Sequence, residues 1–182
     1  MLELVIPARE FFDEETETFF TTQETRLNLE HSLVSLSKWE SKHKKPFISS
    51  EKTAAELIDY VRCMTITQNV KPEAYAAITP DLLEKVIDYI SDPMTATWFN
   101  DKEGAVAGSR RNEIITAELI YYWMISLQIP MECQRWHLNR LLTLVKVCSI
   151  KNTPEKKMSK RDLINRNRSL NNARRAAMRS KG

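Results

Sequence analysis

The last 32 residues of this chain differ sharply in charge from the rest, which predicts that the folded body ends before them. Residues 151–182 contain 11 Lys and Arg but only two acids, Glu155 and Asp162, and carry a net charge of +9. The whole chain has 27 basic and 24 acidic residues, so residues 1–150 keep 16 basic and 22 acidic ones, a net −6. A slightly acidic body joined to a strongly basic tail favours an interaction tail over an enzyme with a charged cleft.

The bulk properties of the chain indicate one small domain with an appendage, or at most two small domains. The longest apolar stretch, Leu119–Leu127, is about half the ~20 residues that a membrane span requires. The segment Met1–Leu4 lacks the basic start and apolar core of a secretion signal.

Cysteine occurs three times, at Cys63, Cys133 and Cys148. An odd number of distant cysteines without a Cys-x-x-Cys pair predicts reduced, mostly buried thiols in a cytoplasmic protein.

The first 30 residues have the composition of β-strands. The segment Leu2–Ile6 predicts a short strand that Pro7 ends, and Thr18–Thr22 is rich in β-forming residues. In Thr25–Glu30, leucines alternate with polar residues, while the acidic cluster at Asp13–Glu15 is typical of a turn. We therefore expect a two- or three-stranded antiparallel sheet, which needs a helix over one face to be stable.

From Ser32 onward the apolar spacing changes to that of helices. Helix starts are marked by Ser32, by Thr53 with Glu56 in a capping box, and by Thr79 followed by Pro80. The predicted helices run over 32–45, 54–64, a short segment from 72, 80–91, 112–128 and 132–147, with a loop at 100–111. Apolar residues surround most of the 112–128 helix, which predicts that it is the most buried helix and forms an antiparallel hairpin with 132–147. Trp123 is then expected to be largely buried, so that Trp123→Ala costs about 3–5 kcal/mol.

The fold class that follows is mainly α with a small N-terminal antiparallel β element, an α+β fold. The predicted domains are a β-hairpin or small sheet at 1–30, a helical bundle at 31–150 and a basic, partly helical or disordered tail at 151–182. The tail contains good helix formers but few large apolar residues, so we expect it to be separable from the body. The alternative is a final helix that docks on the acidic body through Leu163, Ile164, Leu170 and Met178.

No residue pattern in the chain indicates catalysis, a cofactor or a metal. Cys133 and His137 are four residues apart, but zinc needs at least three protein ligands, and His31 and His43 belong to a distant segment. The chain has no Gly-x-Ser-x-Gly sequence, and the body has too few glycines for a phosphate-binding loop. We therefore predict no catalytic, cofactor-binding or metal-ligating residue.

Candidate partner-binding residues lie in the last body helices and in the tail. Tyr121 and Tyr122 point about 100° apart on a helix, so both cannot lie on one buried face, and exposed aromatics favour protein contacts. Arg135 and Arg140 would extend the positive charge of the tail onto the body. The residues predicted to bind a partner are Tyr121, Arg135, Arg140, Lys156, Lys157, Lys160, Arg161, Arg166, Arg168, Arg174, Arg175 and Arg179.

Five blocks of the sequence, in order, resemble small proteins from the structural gene modules of tailed bacteriophages. They are HSLVSLSKWESK (31–42), YVRCMT (60–65), DPMTATWF (92–99), the segment 115–148 from ITAELIYYWM to LVKVC, and KKMSKRDLINRNRSLNNARR (156–175). The resemblance is to tail assembly chaperones, and it covers most of the chain. It implies a protein that binds the long helical tape measure protein, keeps it soluble and helps recruit the major tail protein of the tail tube.

The same resemblance implies action in the cytoplasm of the infected host cell and no catalytic residue.

The sequence is also compatible with two other functions. A permanent virion component, such as a connector or baseplate subunit, has the same kind of composition. The basic tail could also bind nucleic acid, although it lacks the interleaved aromatics that stack on single-stranded bases. Self-association is a further alternative, and the chain's own acidic body could also neutralise the tail.

Overall fold

The computed structural model describes residues 1–13, 18–99, 114–152 and 160–178. The chain divides into two compact units, Met1–Ile150 and Lys151–Gly182. Within the described residues, the secondary structure comprises seven α-helices, one 3₁₀-helix and four short strands. The predicted α+β class, mainly helical with a small N-terminal antiparallel element, is confirmed. The predicted loop at 100–111 lies outside the described residues.

The N-terminal strands form one antiparallel ribbon that is interrupted in the middle. Strand β1 (Leu2–Ile6) pairs with β4 (Thr25–Leu29), and β2 (Arg9–Asp13) pairs with β3 (Thr18–Thr22). Both pairs keep the same register, because Leu2 lies opposite Leu29 and Arg9 lies opposite Thr22. Pro7 has no backbone N–H to donate, which accounts for the break. The sequence predicted β1, β3 and β4 but did not predict β2.

The inner half of the ribbon packs its apolar side on the helices. Along β1 and β4, buried leucine and isoleucine alternate with exposed Glu, Val, Arg and Asn, as expected when one face of a strand meets the core. The buried residues are Leu4, Ile6, Leu27 and Leu29. The segment after the second helix adds an isolated antiparallel bridge between Leu29 and Thr65, where Ile66 N–H donates to the Asn28 carbonyl at 2.9 Å.

Four helices follow the ribbon, and their starts are where the sequence predicts them. They are α1 (Leu33–His43), α2 (Ala54–Met64), α3 (Pro72–Ala76) and α4 (Pro80–Ser91). Ser32 and Thr53 each form a capping box, and Thr79 accepts a hydrogen bond from Leu82 N–H, so the first-turn donors are satisfied. Lys44 ends α1 in the left-handed conformation, with φ of 55°. These predictions are confirmed.

The C-terminal half of the body differs from the expectation. Helix α5 spans Ala117–Ser126 rather than 112–128, a 3₁₀-helix covers Met131–Arg135, and α6 spans Leu138–Asn152. The predicted helix at 132–147 therefore starts later, at Leu138, because the 3₁₀-helix and the extended Trp136 come first. The backbone N–H of Leu138, which has no partner within the helix, donates to the His31 carbonyl at 2.8 Å. The connection between α5 and α6 is an eleven-residue segment with its own 3₁₀-helix, not a tight turn.

Helix α5 is not the most buried helix of the body, so that prediction is wrong. It packs mainly against α1 through a narrow face of Ala117, Ile120 and Met124. Trp123 lies about 100° around the helix from Met124 and is only partly buried. The fully buried tryptophan is Trp39 of α1, whose indole N–H donates to the Glu56 carbonyl at 3.0 Å. The core is centred on α1.

The described residues of the second unit comprise the end of α6 and helix α7 (Lys160–Met178). Of the two states predicted for the tail, partly helical or disordered, the structure has the helical one. All side chains described on this helix are exposed, including Ile164, Leu170 and Met178. Most helical stability in proteins comes from packing of an apolar face, and the described side chains of α7 bury none. The separability of the tail stays a prediction.

Candidate partner-binding surfaces

The outward face of α5 displays two large side chains to solvent. Tyr122 is 63% exposed and Ile125 is 68% exposed, and their spacing of three residues puts them on the same side of the helix. The opposite side of α5 holds the buried face. Exposed tyrosine and aliphatic residues on one helix face are typical of protein-binding surfaces rather than of solvated ones.

Of the tyrosine pair, Tyr122 is the exposed member. Tyr121, which the sequence selected as a binding residue, is partly buried, and its hydroxyl donates to Gln134 Oε1 at 3.0 Å. Burial raises the pKa of Tyr121. A binding role for Tyr121 stays a prediction, but its hydroxyl already has a partner within the fold. The adjacent tyrosines in the sequence signalled that one is exposed without indicating which.

The residues of the body that were predicted to bind a partner all lie in or beside the 3₁₀-helix. Tyr121 bonds to Gln134, and the next residue, Arg135, ends that helix and is exposed. The guanidinium of Arg140 lies 4.4 Å from the centre of the Trp136 ring. Stacking of this kind fixes the arginine and leaves its N–H donors free to point outward. The structure therefore brings these three residues to one region of the body.

The predicted tail residues are only partly described. Lys156, Lys157 and Arg179 lie outside the described residues, and Lys160 is the first residue of α7. The exposed arginines of the helix are Arg161, Arg166, Arg168, Arg174 and Arg175. Among them Arg161, Arg168 and Arg175 are seven residues apart, close to two helical turns, so they line one side of α7.

An open apolar groove lies where α5 and α6 face each other. It has a volume of about 290 Å³. Its lining residues are Phe99, Ile115, Trp123, Leu142, Thr143, Val145 and Lys146. The ammonium of Lys146 sits 4.0 Å from the centre of the Phe99 ring, within cation–π distance. No sequence signal could have found this groove, because its walls come from three separate segments.

A buried carboxylate holds the start of α5 in place. Glu40 of α1 is 7% exposed, and its two oxygens accept hydrogen bonds from Phe47 N–H and Ala117 N–H, both at 2.7 Å. Ala117 is the first residue of α5, where negative charge is also favoured by the helix dipole. The side chain of Thr116 caps the same helix by accepting from Leu119 N–H. These bonds fix the helix that carries both the exposed face and one wall of the groove.

Two histidines predicted to be far apart meet in the core. The rings of His31 and His137 have centroids 4.9 Å apart, which corrects the expectation that His31 is remote from Cys133 and His137. His31 Nδ1 lies 2.6 Å from the Tyr60 hydroxyl, and His137 Nε2 donates to the Tyr89 carbonyl at 2.9 Å. Burial, and then the neighbouring His137, lowers the pKa of His31 from 6.5 to about 3. Burial also lowers the pKa of His137.

The described residues offer no arrangement for metal or thiol chemistry. No three His, Cys, Asp or Glu side chains among them come close enough together to hold a metal ion. Cys63, Cys133 and Cys148 are free thiols. Burial, followed by the charge of Asp59, raises the pKa of Cys63, which keeps the thiol protonated and poorly nucleophilic at neutral pH. Within the described part of the chain, no helix combines the length and apolar content that crossing a membrane demands.

Comparison of the chain with family profiles, curated proteins and solved structures gave no significant match.

Proposed function

We propose that this chain is a tail assembly chaperone of a tailed bacteriophage. In this proposal it binds the tape measure protein, keeps it soluble in the host cytoplasm and assists assembly of the tail tube, with the major tail protein as a further partner. The five sequence blocks that resemble such chaperones support the phage assignment. The activity proposed is binding, without a catalytic step.

The observation that carries the proposal is the outward face of α5. Tyr122 and Ile125 are exposed on a helix whose other side is fixed to the core, so the apolar surface is held ready for a partner. A client that is a long amphipathic helix offers apolar residues at i, i+3, i+4 and i+7, which fit such a face. The arginines of α7 add a second, charged surface that suits transient contact with an acidic client.

The experiment is co-expression of the full chain with a tape measure protein from the same phage. We expect the client to move from the pellet to the soluble fraction and to co-purify with this chain. The double variant Tyr122→Ser/Ile125→Ser should weaken the complex at least about tenfold, because each lost apolar contact contributes more than about 1 kcal/mol. The matched control is Val5→Ser, which removes an exposed apolar side chain from β1. An equally insoluble client with and without this chain contradicts the proposal.

Nucleic-acid binding is the second candidate, and one observation favours it. Arg161, Arg168 and Arg175 repeat along one side of an exposed helix, which suits contacts with successive phosphates. A gel-shift series at rising salt tests it, because each neutralised phosphate releases counterions and makes binding fall steeply with salt. The absence of any shift at low salt eliminates this candidate.

A permanent role in the virion is distinguished from the chaperone role by mass spectrometry of purified particles. A chaperone is absent from finished particles, whereas a connector or baseplate subunit is recovered in stoichiometric amounts. Sedimentation of the purified chain at several salt concentrations tests self-association at the same time. A stable oligomer that dissociates as salt rises indicates that the basic tail contacts the acidic body of another copy.

A further inference from the structure

The groove between α5 and α6 is an unfilled apolar site on the surface of the body. Its walls are Ile115 and Trp123 on one side and Leu142 and Val145 on the other, with Phe99 between the segments. Ile115, Trp123 and Leu142 are only partly buried although they pack on the core. A volume of about 290 Å³ corresponds to about ten water molecules in the liquid state. Water held against walls of this kind is released when apolar side chains enter, which favours binding.

Apolar residues continue beyond the groove on the adjoining segments. Trp98, next to Phe99, is 89% exposed, and Ile114, next to Ile115, is also exposed. On α6, Ile150 is exposed one turn beyond Lys146. Apolar side chains therefore extend beyond the groove itself, as an amphipathic helical partner with several anchors requires.

The positive charge of Lys146 indicates that the partner carries a negative charge at this point. Among the described residues that line the groove, Lys146 alone carries a charge, and its ammonium lies over the Phe99 ring. A carboxylate on the partner, beside its apolar anchors, would pair with this ammonium in a partly desolvated setting. Helix α7 of a second copy does not meet this condition. The charged side chains that the structure describes on this helix are all arginines, which Lys146 would repel.

We propose that this groove binds an amphipathic helix of a partner protein, with apolar residues at i, i+4 and i+7 in the groove and an acidic residue paired with Lys146. The inference rests on the proposed function, in that it adds a second client-binding site beside the outward face of α5 and names the charge of the segment that fills it. It adds a requirement that the sequence resemblance does not contain. Acidic helical segments should bind and basic ones should not.

The test uses two fluorescein-labelled helical peptides of 18 residues and the full chain. Both peptides carry leucine at i, i+4 and i+7, one with glutamates and one with lysines beside the leucine stripe. In fluorescence polarisation we expect the glutamate peptide to bind at least about tenfold more tightly, a difference of about 1.4 kcal/mol. Lys146→Glu should reverse this preference. Lys85→Glu, the same charge change at an exposed position of α4 outside the groove, should leave it unchanged.

Leu142→Glu places a charge in the groove wall and should abolish binding of both peptides. The circular dichroism spectrum and melting temperature of Leu142→Glu show whether this variant folds. If it does not fold, the test rests on Lys146→Glu. Equal binding of the two peptides, no binding of either, or a preference that Lys146→Glu leaves intact overturns the proposal. A dimer of the free chain that Lys146→Glu dissociates also overturns it, because the groove is then an interface between copies.

These outcomes are separable from those of the proposed function. If the tape measure protein is solubilised equally by the wild type, Lys146→Glu and Leu142→Glu, the chaperone role stands and the groove assignment fails. If the glutamate peptide binds with the expected reversal but the tape measure protein is not solubilised, the groove assignment stands. The client is then a different acidic amphipathic helix.

Discussion

Removing the carboxylate of Glu40 should loosen the start of α5 and destabilise the body. The side chain is buried in α1 and accepts two backbone hydrogen bonds, from Phe47 and from Ala117, which is 77 residues away in the sequence. Glu40→Gln keeps the shape but replaces one acceptor oxygen with an NH₂ donor. One of the two backbone N–H groups then faces another donor. Glu40→Ala removes both acceptors.

The magnitude follows from what each substitution leaves unpaired. A hydrogen bond to a charged group contributes about 1.5–3 kcal/mol, and a buried N–H left without a partner costs about 1–3 kcal/mol. Part of this loss of stability is offset, because folding of the wild-type protein must remove water from the carboxylate that becomes buried. We therefore expect Glu40→Gln to lower the free energy of unfolding by about 2 kcal/mol and Glu40→Ala by about 3–4 kcal/mol.

Urea unfolding of the full chain, followed by far-ultraviolet circular dichroism and tryptophan fluorescence, measures this. With a slope of about 2 kcal/mol per molar urea, Glu40→Gln should shift the midpoint by about 1 M. The matched control is Glu51→Gln, at an exposed position, where we expect a change within about 0.5 kcal/mol. Hydrogen exchange should show that the Ala117 amide exchanges faster in both Glu40 variants. A midpoint equal to that of the control, with Ala117 protection unchanged, refutes the reasoning.

Three further perturbations test other parts of the fold. Deletion of Pro154–Gly182 should leave the melting temperature of the body nearly unchanged and weaken partner binding by an amount that shrinks as salt rises; a clearly lower melting temperature or aggregation would mean that the tail is structural. Trp39→Ala should cost about 3–5 kcal/mol in urea unfolding and Trp123→Ala distinctly less, since only the first is fully buried; equal costs would contradict this ranking. The pKa of His31 is about 3 when folded and 6.5 when exposed, so the unfolded chain takes up the proton first, and stability present above pH 6.5 is lost as pH falls towards 3. Between pH 7 and 5, before most carboxylates protonate, the free energy of unfolding should fall by about 2 kcal/mol in urea titrations. An unchanged urea midpoint over that pH range would exclude this role of His31.

The parts of the fold that the sequence predicts are those with local signals. Ser32, Thr53 and Thr79 sit where their side chains cap the next helix, and this chemistry involves residues at most three positions away. The alternation in β1 and β4 is equally local. These elements therefore appear in the structure with nearly the predicted bounds.

The errors fall where distant segments decide the outcome. Apolar residues all around α5 predicted burial, but periodicity does not distinguish an apolar side that faces the core from one that faces a partner. Tyr122 and Ile125 belong to the second kind. The contact between His31 and His137 joins residues more than 100 positions apart, and neither has a neighbour in sequence that indicates it. The groove at Trp123 was missed for the same reason.

The two candidate binding elements differ in how much order they have before a partner arrives, and this difference separates their contributions. Helix α5 is fixed at its start by Glu40 and on its inner side by Ile120 and Met124, so binding there requires little further ordering. The described side chains of helix α7 are exposed, so little packing stabilises the helix and contacts made there must offset the entropy of ordering it. Salt weakens the attraction of the α7 arginines but leaves apolar burial on α5 largely intact. Affinity measured at rising salt should therefore fall to a plateau that the α5 surface sets. Tyr122→Ser/Ile125→Ser should lower the plateau, while deletion of Pro154–Gly182 removes only the salt-sensitive part.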